Sequence, residues 1–571
     1  MFFIITMKKI IILILSFSFL FGCSKSKITP TSIHEETMSF NEFLDEELNQ
    51  YIYADNMSYQ RYYVNTFDYH DVVKKPRFAK PMTIEDYQKS YETLLQYNRD
   101  DLNTYQQASY DAYAFYLKNK IEQSKYPYFT FAFQPSEKGV TYTVFENLAF
   151  YRFDNVEEFR QYLALFDEVE AYFQEGLEFS KKQKEVGYIM PTIVYEEAIS
   201  FLDLFLNETY LDVYNNFDYN VEYIFVSDDA KQELVKEFNA KVETLIDQVK
   251  ALKEELLQLK EENVPYKSIV EYPHGKEYAR SLIQFNASGE VDPDELYQTL
   301  VTFLDDQFQK HYDLLYGDAY NEFYEFDIDM SLEEIMNHLK ANYTRILPEV
   351  KDLNYDISYF EEWEESYLDG YFLPGYLDSP NANVIKINEK NVDSNIDLYS
   401  VLAHEALPGH MYEYSFSNTY GKHPIHYAFR MMAYSEGWAM FSEILALEWL
   451  EMNPEVRDLI RYYIFYDYVT GALLDLQVNY YNMSFEEIKA FYSKYETISD
   501  EDIELMIEGA YKEPFGYISY GYGLYYFYTQ SVNAMDENNL SLQEFLQVVL
   551  SSGERPLIAV SQDIEKYMKN K

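Results

Sequence analysis

A chain of 571 residues with 97 acidic and 46 basic side chains carries a formal charge of -51. That balance excludes a nucleic-acid binder, because phosphate recognition demands a basic footprint, and it disfavours lying flat on anionic lipid. We read it as solubility at an exposed surface, ahead of a preference for cationic peptides; with 47% hydrophobic and 18% aromatic residues, disorder is excluded outside a short N-terminal stretch.

In chain order, Lys8 and Lys9 precede an apolar run from Ile10 to Phe21, too short for a comfortable membrane span and patterned as an export signal over residues 1–22. The run closes on Leu20-Phe21-Gly22-Cys23, which resembles a bacterial lipoprotein box. Cys23 is also the chain's one cysteine, so no disulfide can form within the chain; lipidation of Cys23 is expected ahead of a buried structural thiol. Residues 23–37 read as a polar, lipidated tether. The roughly 530 residues beyond it exceed what one core usually holds. Two helical lobes are expected, 38–351 and 352–571.

Tyr128 to Phe133 and Val140 to Phe145 pattern as a β-hairpin. Apolar residues from Leu234 to Leu259 recur near helical spacing within Lys231 to Asn263, and Pro265 stops the run. Asp292-Pro293-Asp294-Glu295 reads as a helix start with its own cap. Asn383 to Asn388 reads as a short strand, Asp397 to His404 as the first half of a functional helix, and Tyr427 to Leu450 as another. The 61 tyrosines read as composition bias with core packing, ahead of a sugar-binding platform.

The chemistry concentrates in His404-Glu405-Ala406-Leu407-Pro408-Gly409-His410 and Glu436-Gly437-Trp438-Ala439. Catalytic zinc commonly takes two histidines and a carboxylate, leaving a position for water; His404, His410 and Glu436 meet that count. Glu405, beside the first ligand, is placed to take a proton from water. In the usual helical motif the two histidines stand at i and i+4. Here they are six apart, about 120° out of alignment on a regular helix, so the backbone must bend or break at Pro408-Gly409 to bring His410 back. Glu443, two turns beyond Glu436 on the same face, is expected to orient a ligating histidine; the reverse assignment of the two carboxylates stays open. Arg430 can grip a peptide carboxylate with its planar fork, though pairing with an acidic side chain is preferred for it.

These strings resemble the bacterial family catalogued as domain of unknown function 885, whose hallmark is the same His-Glu-x-x-Pro-Gly-His followed by Glu-Gly-Trp-Ala. Gly187 to Pro191, Gly275 to Tyr278, Phe429-Arg430 and Pro514 to Gly523 resemble further family blocks in the same order. The resemblance implies a mainly α, two-lobed, zincin-like metallopeptidase fold, like that of oligopeptidases related to thimet oligopeptidase and of Taq-type carboxypeptidases, with a small β element beside the active-site helix. It also makes Tyr520 the first choice for an oxyanion donor, with His426 second. The family's last block reads Pro-Gly-Gln-Ala-x-Ser-Tyr, and this chain departs from it at Pro514-Phe515-Gly516-Tyr517-Ile518-Ser519-Tyr520, lacking the glutamine.

The expected function is an exported zinc-dependent peptidase acting on a peptide substrate, lipid-anchored at the cell surface or in the periplasm, with membrane contact through the anchor only. Two alternatives stand beside it: a noncatalytic surface lipoprotein that binds peptide or glycan, and a zinc hydrolase of a non-peptide amide or ester.

Overall fold

A computed structural model describes residues 38–63, 78, 82–134, 139–351, 353–360, 368–420, 422–536 and 540–571. The export signal, Cys23 and the tether lie outside them. Among the described residues no helix is long and apolar enough to cross a membrane. Among the described residues the chain is mainly helical, with one three-stranded sheet, as expected.

Contacts divide the chain into two compact units. One comprises the described parts of Leu48–Met82 and Tyr126–Lys267. Its long helix Asp228–Leu259 buries Leu234, Phe238, Val242, Leu245, Val249, Leu252 and Leu256, one residue every three or four positions. Each such side chain contributes roughly 1.5–3 kcal/mol of apolar burial. Ser227 caps the helix by accepting from the Ala230 N–H. The hairpin expected around residues 128–145 is not formed: Val140–Phe150 is a helix. Its Phe145 ring stacks on Phe205 at 4.0 Å, and Val144 and Leu148 are fully buried. Packing of that helical face overrides the β preference of its residues.

The other unit holds the described parts of Met1–Glu47, Thr83–Lys125 and Ser268–Lys571. Residues 268–351, assigned from sequence to the N-terminal lobe, therefore share a unit with the metal motifs. The helix Pro293–Leu315 accounts for this: Asp292 caps it, Pro293 opens it, and its Phe303 meets Phe465 edge to face at 5.2 Å.

In this unit β1 (Tyr355–Tyr359), β2 (Gly370–Leu373) and β3 (Asn383–Ile387) form a sheet in the order β1-β3-β2. β1 runs parallel to β3 and β2 antiparallel, with Phe372 opposite Ile385. Then follow α1 (Asn395–Glu405), α2 (His410–Thr419), α3 (Met432–Leu447), α4 (Pro454–Asn479) and α5 (Tyr517–Asp536). Glycines set how closely these helices approach. A Cβ on Gly437 of α3 would lie 2.6 Å from the Cα of Gly523 of α5, and one on Gly521 would lie 2.3 Å from the Tyr468 carbonyl oxygen of α4. Any larger residue at these points would push α5 away from both neighbours.

Candidate metal centre

The six-residue spacing is accommodated by a break between two helices. α1 ends at Glu405, the chain turns through Ala406 to Gly409, and α2 begins at His410. At Gly409 the backbone passes so close to α1 that a Cβ would lie 1.7 Å from the His404 carbonyl oxygen, while its N–H donates to the Ala403 carbonyl at 3.0 Å. Only glycine fits there. The Trp438 indole N–H donates to the Pro408 carbonyl at 3.0 Å, so the second motif pins the turn of the first. Ring centroids of His404 and His410 end 4.8 Å apart.

Glu436 on α3 faces both rings: its Oε2 is 3.7 Å from His404 Nε2 and 3.4 Å from His410 Nε2. The donor atoms of His404, His410 and Glu436 all lie within 4.8 Å of one another. Ligands at about 2.0–2.1 Å from a tetrahedral zinc are separated from each other by roughly 3.3 Å; the Glu436 spacings of 3.7 and 3.4 Å to the two rings are close to that, so this group could take a metal of that kind. His404 Nδ1 donates to Glu443 Oε1 at 2.8 Å, and Glu443 Oε2 accepts from Ser400 Oγ at 2.5 Å. A carboxylate only accepts, so this bond keeps a proton on His404 Nδ1 and leaves Nε2 as the ring nitrogen turned toward Glu436.

The electrostatics follow from burial and crowding. Burial alone would lower the His404 imidazolium, but the Glu405, Glu436 and Glu443 carboxylates outweigh it and hold the group well above its ordinary range. Glu436, buried yet faced by His410 and His404, is held well below the carboxylate range. Glu405 moves the other way: burial pushes its carboxyl up, against the pull of both histidines and a hydrogen bond from the Phe372 N–H of β2.

Tyr520 sits on α5, and burial raises its phenol well above the ordinary value, with the Glu436 and Glu405 carboxylates adding to the rise. It therefore stays protonated within electrostatic reach of both. Its ring stacks on Tyr468 of α4 at 5.9 Å and 22°; the Tyr468 phenol is raised by burial and then by Glu443 and Asp369. The start of α5 is fixed by buried Asp475, whose Oδ2 accepts from the Tyr517 N–H at 2.9 Å. Phe515, where the resembled block has glycine, is buried with a left-handed φ of 67°.

Not every residue singled out from sequence is brought to this centre. His426 is buried elsewhere, its Nε2 3.0 Å from Ser109 Oγ, and His423 Nε2 lies 3.3 Å from Asp45. Sequence reasoning missed Tyr468, one tyrosine among 61, and the Phe372 N–H, a backbone group with no side-chain signal. It also missed Ser400, which stands one helical turn before His404 and was open to discovery on that spacing.

Fold and site together define a mainly helical protein with a His-His-Glu group able to take a metal. The chain belongs to the family described as bacterial protein of unknown function (DUF885), whose profile matches residues 76–564. It is similar over 94% of its length to the whole of a candidate lipoprotein from Colwellia psychrerythraea, at 16% identity and a TM-score of 0.74. A candidate lipoprotein of unknown function from Shewanella oneidensis is similar over 92% of this chain and 99% of its own, at 15% identity and a TM-score of 0.64. At these identities the likeness is one of fold. A candidate oligoendopeptidase F from Bacillus anthracis str. Ames aligns with 86% of this chain and 97% of its own at 14% identity and a TM-score of 0.31, which does not establish a shared fold. No curated protein matches the sequence.

Proposed function

We propose that the protein is a zinc-dependent peptidase, exported and anchored by a lipid on Cys23. The observation that carries this reading is the convergence of His404, His410 and Glu436 donor atoms with Glu405 at their side, 3.9 Å from His404 Nε2. These three would hold the zinc, which when bound acts as a Lewis acid toward a carbonyl oxygen and lowers the pKa of water.

The chain's own groups supply the rest. Glu405, its carboxyl raised by burial, takes one proton from the attacking water and delivers it to the leaving amine as the C–N bond breaks and the water oxygen joins the acyl carbon. Tyr520, kept protonated, donates to the oxygen on which negative charge develops, and Tyr468 backs its ring. Glu443 positions His404. Extended peptide as substrate is supported by β2, which lies at an edge of the sheet; such an edge accepts an added strand. The lipid anchor is supported by the apolar run ending on Cys23 and by the description of both fold neighbours as lipoproteins.

The test is a peptide-library digest by the zinc-loaded protein, read by mass spectrometry, beside a Glu405→Gln control. Cleavage that is lost in the control supports the proposal; a zinc-replete protein that leaves every peptide intact overturns it.

A further inference from the structure

The helix that presents Glu436 begins without a cap of its own. α1 is capped by Ser394, whose side chain accepts from the Asp397 N–H. α3 instead follows Met431, whose side chain makes no cap bond, and its third residue is Tyr434, where a capping box would place Glu or Gln. The first N–H groups of a helix find no partner within it. At α3 both acceptors of a capping box come from far along the chain. The Ala433 N–H donates to Ser288 Oγ at 2.9 Å, across 145 positions, and the Met431 N–H donates to Glu554 Oε1 at 2.8 Å, across 123. Ser288 thereby fills the place of the N-cap side chain and Glu554 that of the reach-back carboxylate. The Ser288 carbonyl also accepts from the Leu557 N–H at 3.0 Å, so the two halves of the cap are tied together. Arg430, singled out from the sequence, is the partly buried residue just before this N-cap.

The other oxygen of Glu554 reaches the helix of His410. Its Oε2 accepts from Lys422 Nζ at 2.6 Å, and that ammonium lies 3.9 Å from Glu413 Oε1. Glu413 stands on α2, three residues past His410, and the same oxygen accepts from Ser417 Oγ at 2.7 Å. One carboxylate therefore holds the start of α3 and, through Lys422, the first turn of α2. Glu436 is five positions beyond Met431, about 7.5 Å along the helix, so a helix start that slips or frays carries the ligand with it. The side chains of Glu554, Glu413 and Lys422 are 3%, 6% and 13% exposed. Buried ion pairs are weak evidence for stability, because desolvation offsets their attraction. What this group fixes is position.

We propose that Glu554 is a positioning residue of the metal centre: by capping α3 and, through Lys422, bracing α2, it sets the 3.4 Å separation of Glu436 Oε2 from His410 Nε2. The inference rests on the metal-binding part of the peptidase reading. Glu554 acts through the two helices and is itself no ligand, so its removal changes how tightly and in what geometry a metal is held, beyond any change in the stability of the fold.

The experiment uses the full-length protein purified in detergent, stripped of metal and reloaded with zinc or cobalt(II). Glu554→Ala should bind zinc about tenfold more weakly in competition with a chelator, the lower cost of losing a residue that orients ligands. Its cobalt(II) form should show a shifted visible absorption spectrum, which reports ligand geometry. Glu554→Gln keeps an oxygen for the Met431 N–H while dropping the charge that faces Lys422, and should recover part of both. Ser288→Gly removes only the side chain, at a left-handed φ of 47° that glycine adopts readily, and should weaken zinc binding in the same direction. It carries the test where Glu554→Ala does not fold, with melting temperatures of the metal-free variants as the check. A folded Glu554→Ala, or in its place a folded Ser288→Gly, with the parent's zinc affinity and cobalt spectrum overturns the proposal even where its melting temperature has dropped, because a cap that serves stability alone leaves both unmoved. The underlying readings fail separately. Parent protein that takes up no zinc rejects the metal centre and this inference with it, whereas variants altered as expected in a protein that cleaves no peptide keep the inference and reject the peptidase.

Discussion

Two pairs of histidines stand close together in the chain, His404 with His410 and His423 with His426, and they do different things. The first pair turns its rings toward Glu436 and is flanked by Glu405 and Glu443. The second pair is spent on Ser109 and Asp45, and burial, with Lys422 and His423 nearby, holds the His426 imidazolium well below its ordinary range. Histidine density alone does not make a metal centre. What separates the pairs is the convergence of carboxylates, which at the first pair raises one imidazole and at the second is missing around His426.

The sharpest way to break this comparison is to remove ligands from each pair. His404→Ala, His410→Ala and Glu436→Ala should each abolish binding of one zinc per chain in metal analysis, while His423→Ala and His426→Ala should keep it. If His410→Ala retains full zinc affinity, another ligand must take its place and the reading of the broken helix is wrong. Glu405→Gln should keep its zinc and lose at least about 10²-fold in turnover, the lower end of general-base assistance. Wild-type turnover in that variant, with contaminating protease excluded, would end the mechanism.

Glu443→Gln probes the carboxylate proposed to orient His404 without ligating. It should weaken zinc affinity by about 10- to 100-fold, the usual cost of losing such a partner, as measured by competition with a chelator. A complete loss matching Glu436→Ala would instead make Glu443 a ligand. Tyr520→Phe should be milder than Glu405→Gln and should lower kcat more than it raises KM, because an oxyanion donor acts mainly in the transition state; a change confined to KM would assign the phenol to substrate binding.

The candidate centre was legible because its chemistry is carried by side chains at fixed spacings: His404, His410 and Glu436 name themselves as possible ligands and Glu405 as their neighbour, and the two-turn step from Glu436 to Glu443 puts both on one face. The helices Asp228–Leu259 and Pro293–Leu315 were legible from periodicity and capping. What stayed hidden depends on partners distant in sequence. Val140–Phe150 carries strand-forming residues, and only its packing against Phe205 makes it a helix. The burial of His426 depends on Ser109, 317 positions away, and nothing local announces it. That Gly409 must be glycine is visible only once the His404 carbonyl is seen to fill the place of its side chain.

The smallest effect belongs to the second pair and concerns stability. His426 is neutral in the fold because burial disfavours its charged form, and its folded pKa lies below the unfolded value of 6.5. Below that unfolded value the denatured chain binds a proton that the native chain does not, so stability rises with pH through this window and is lost as pH falls below about 6.5 toward the depressed folded value. His426→Gln removes the titrating group while keeping an amide that can still meet Ser109 Oγ. The melting temperature of the variant should therefore fall less between pH 7.5 and pH 5.5 than that of the parent, with zinc content unchanged at pH 7.5. Parallel pH profiles would show that His426 takes up its proton in the fold as readily as in the denatured chain, and would remove the contrast between the two pairs that its burial implies.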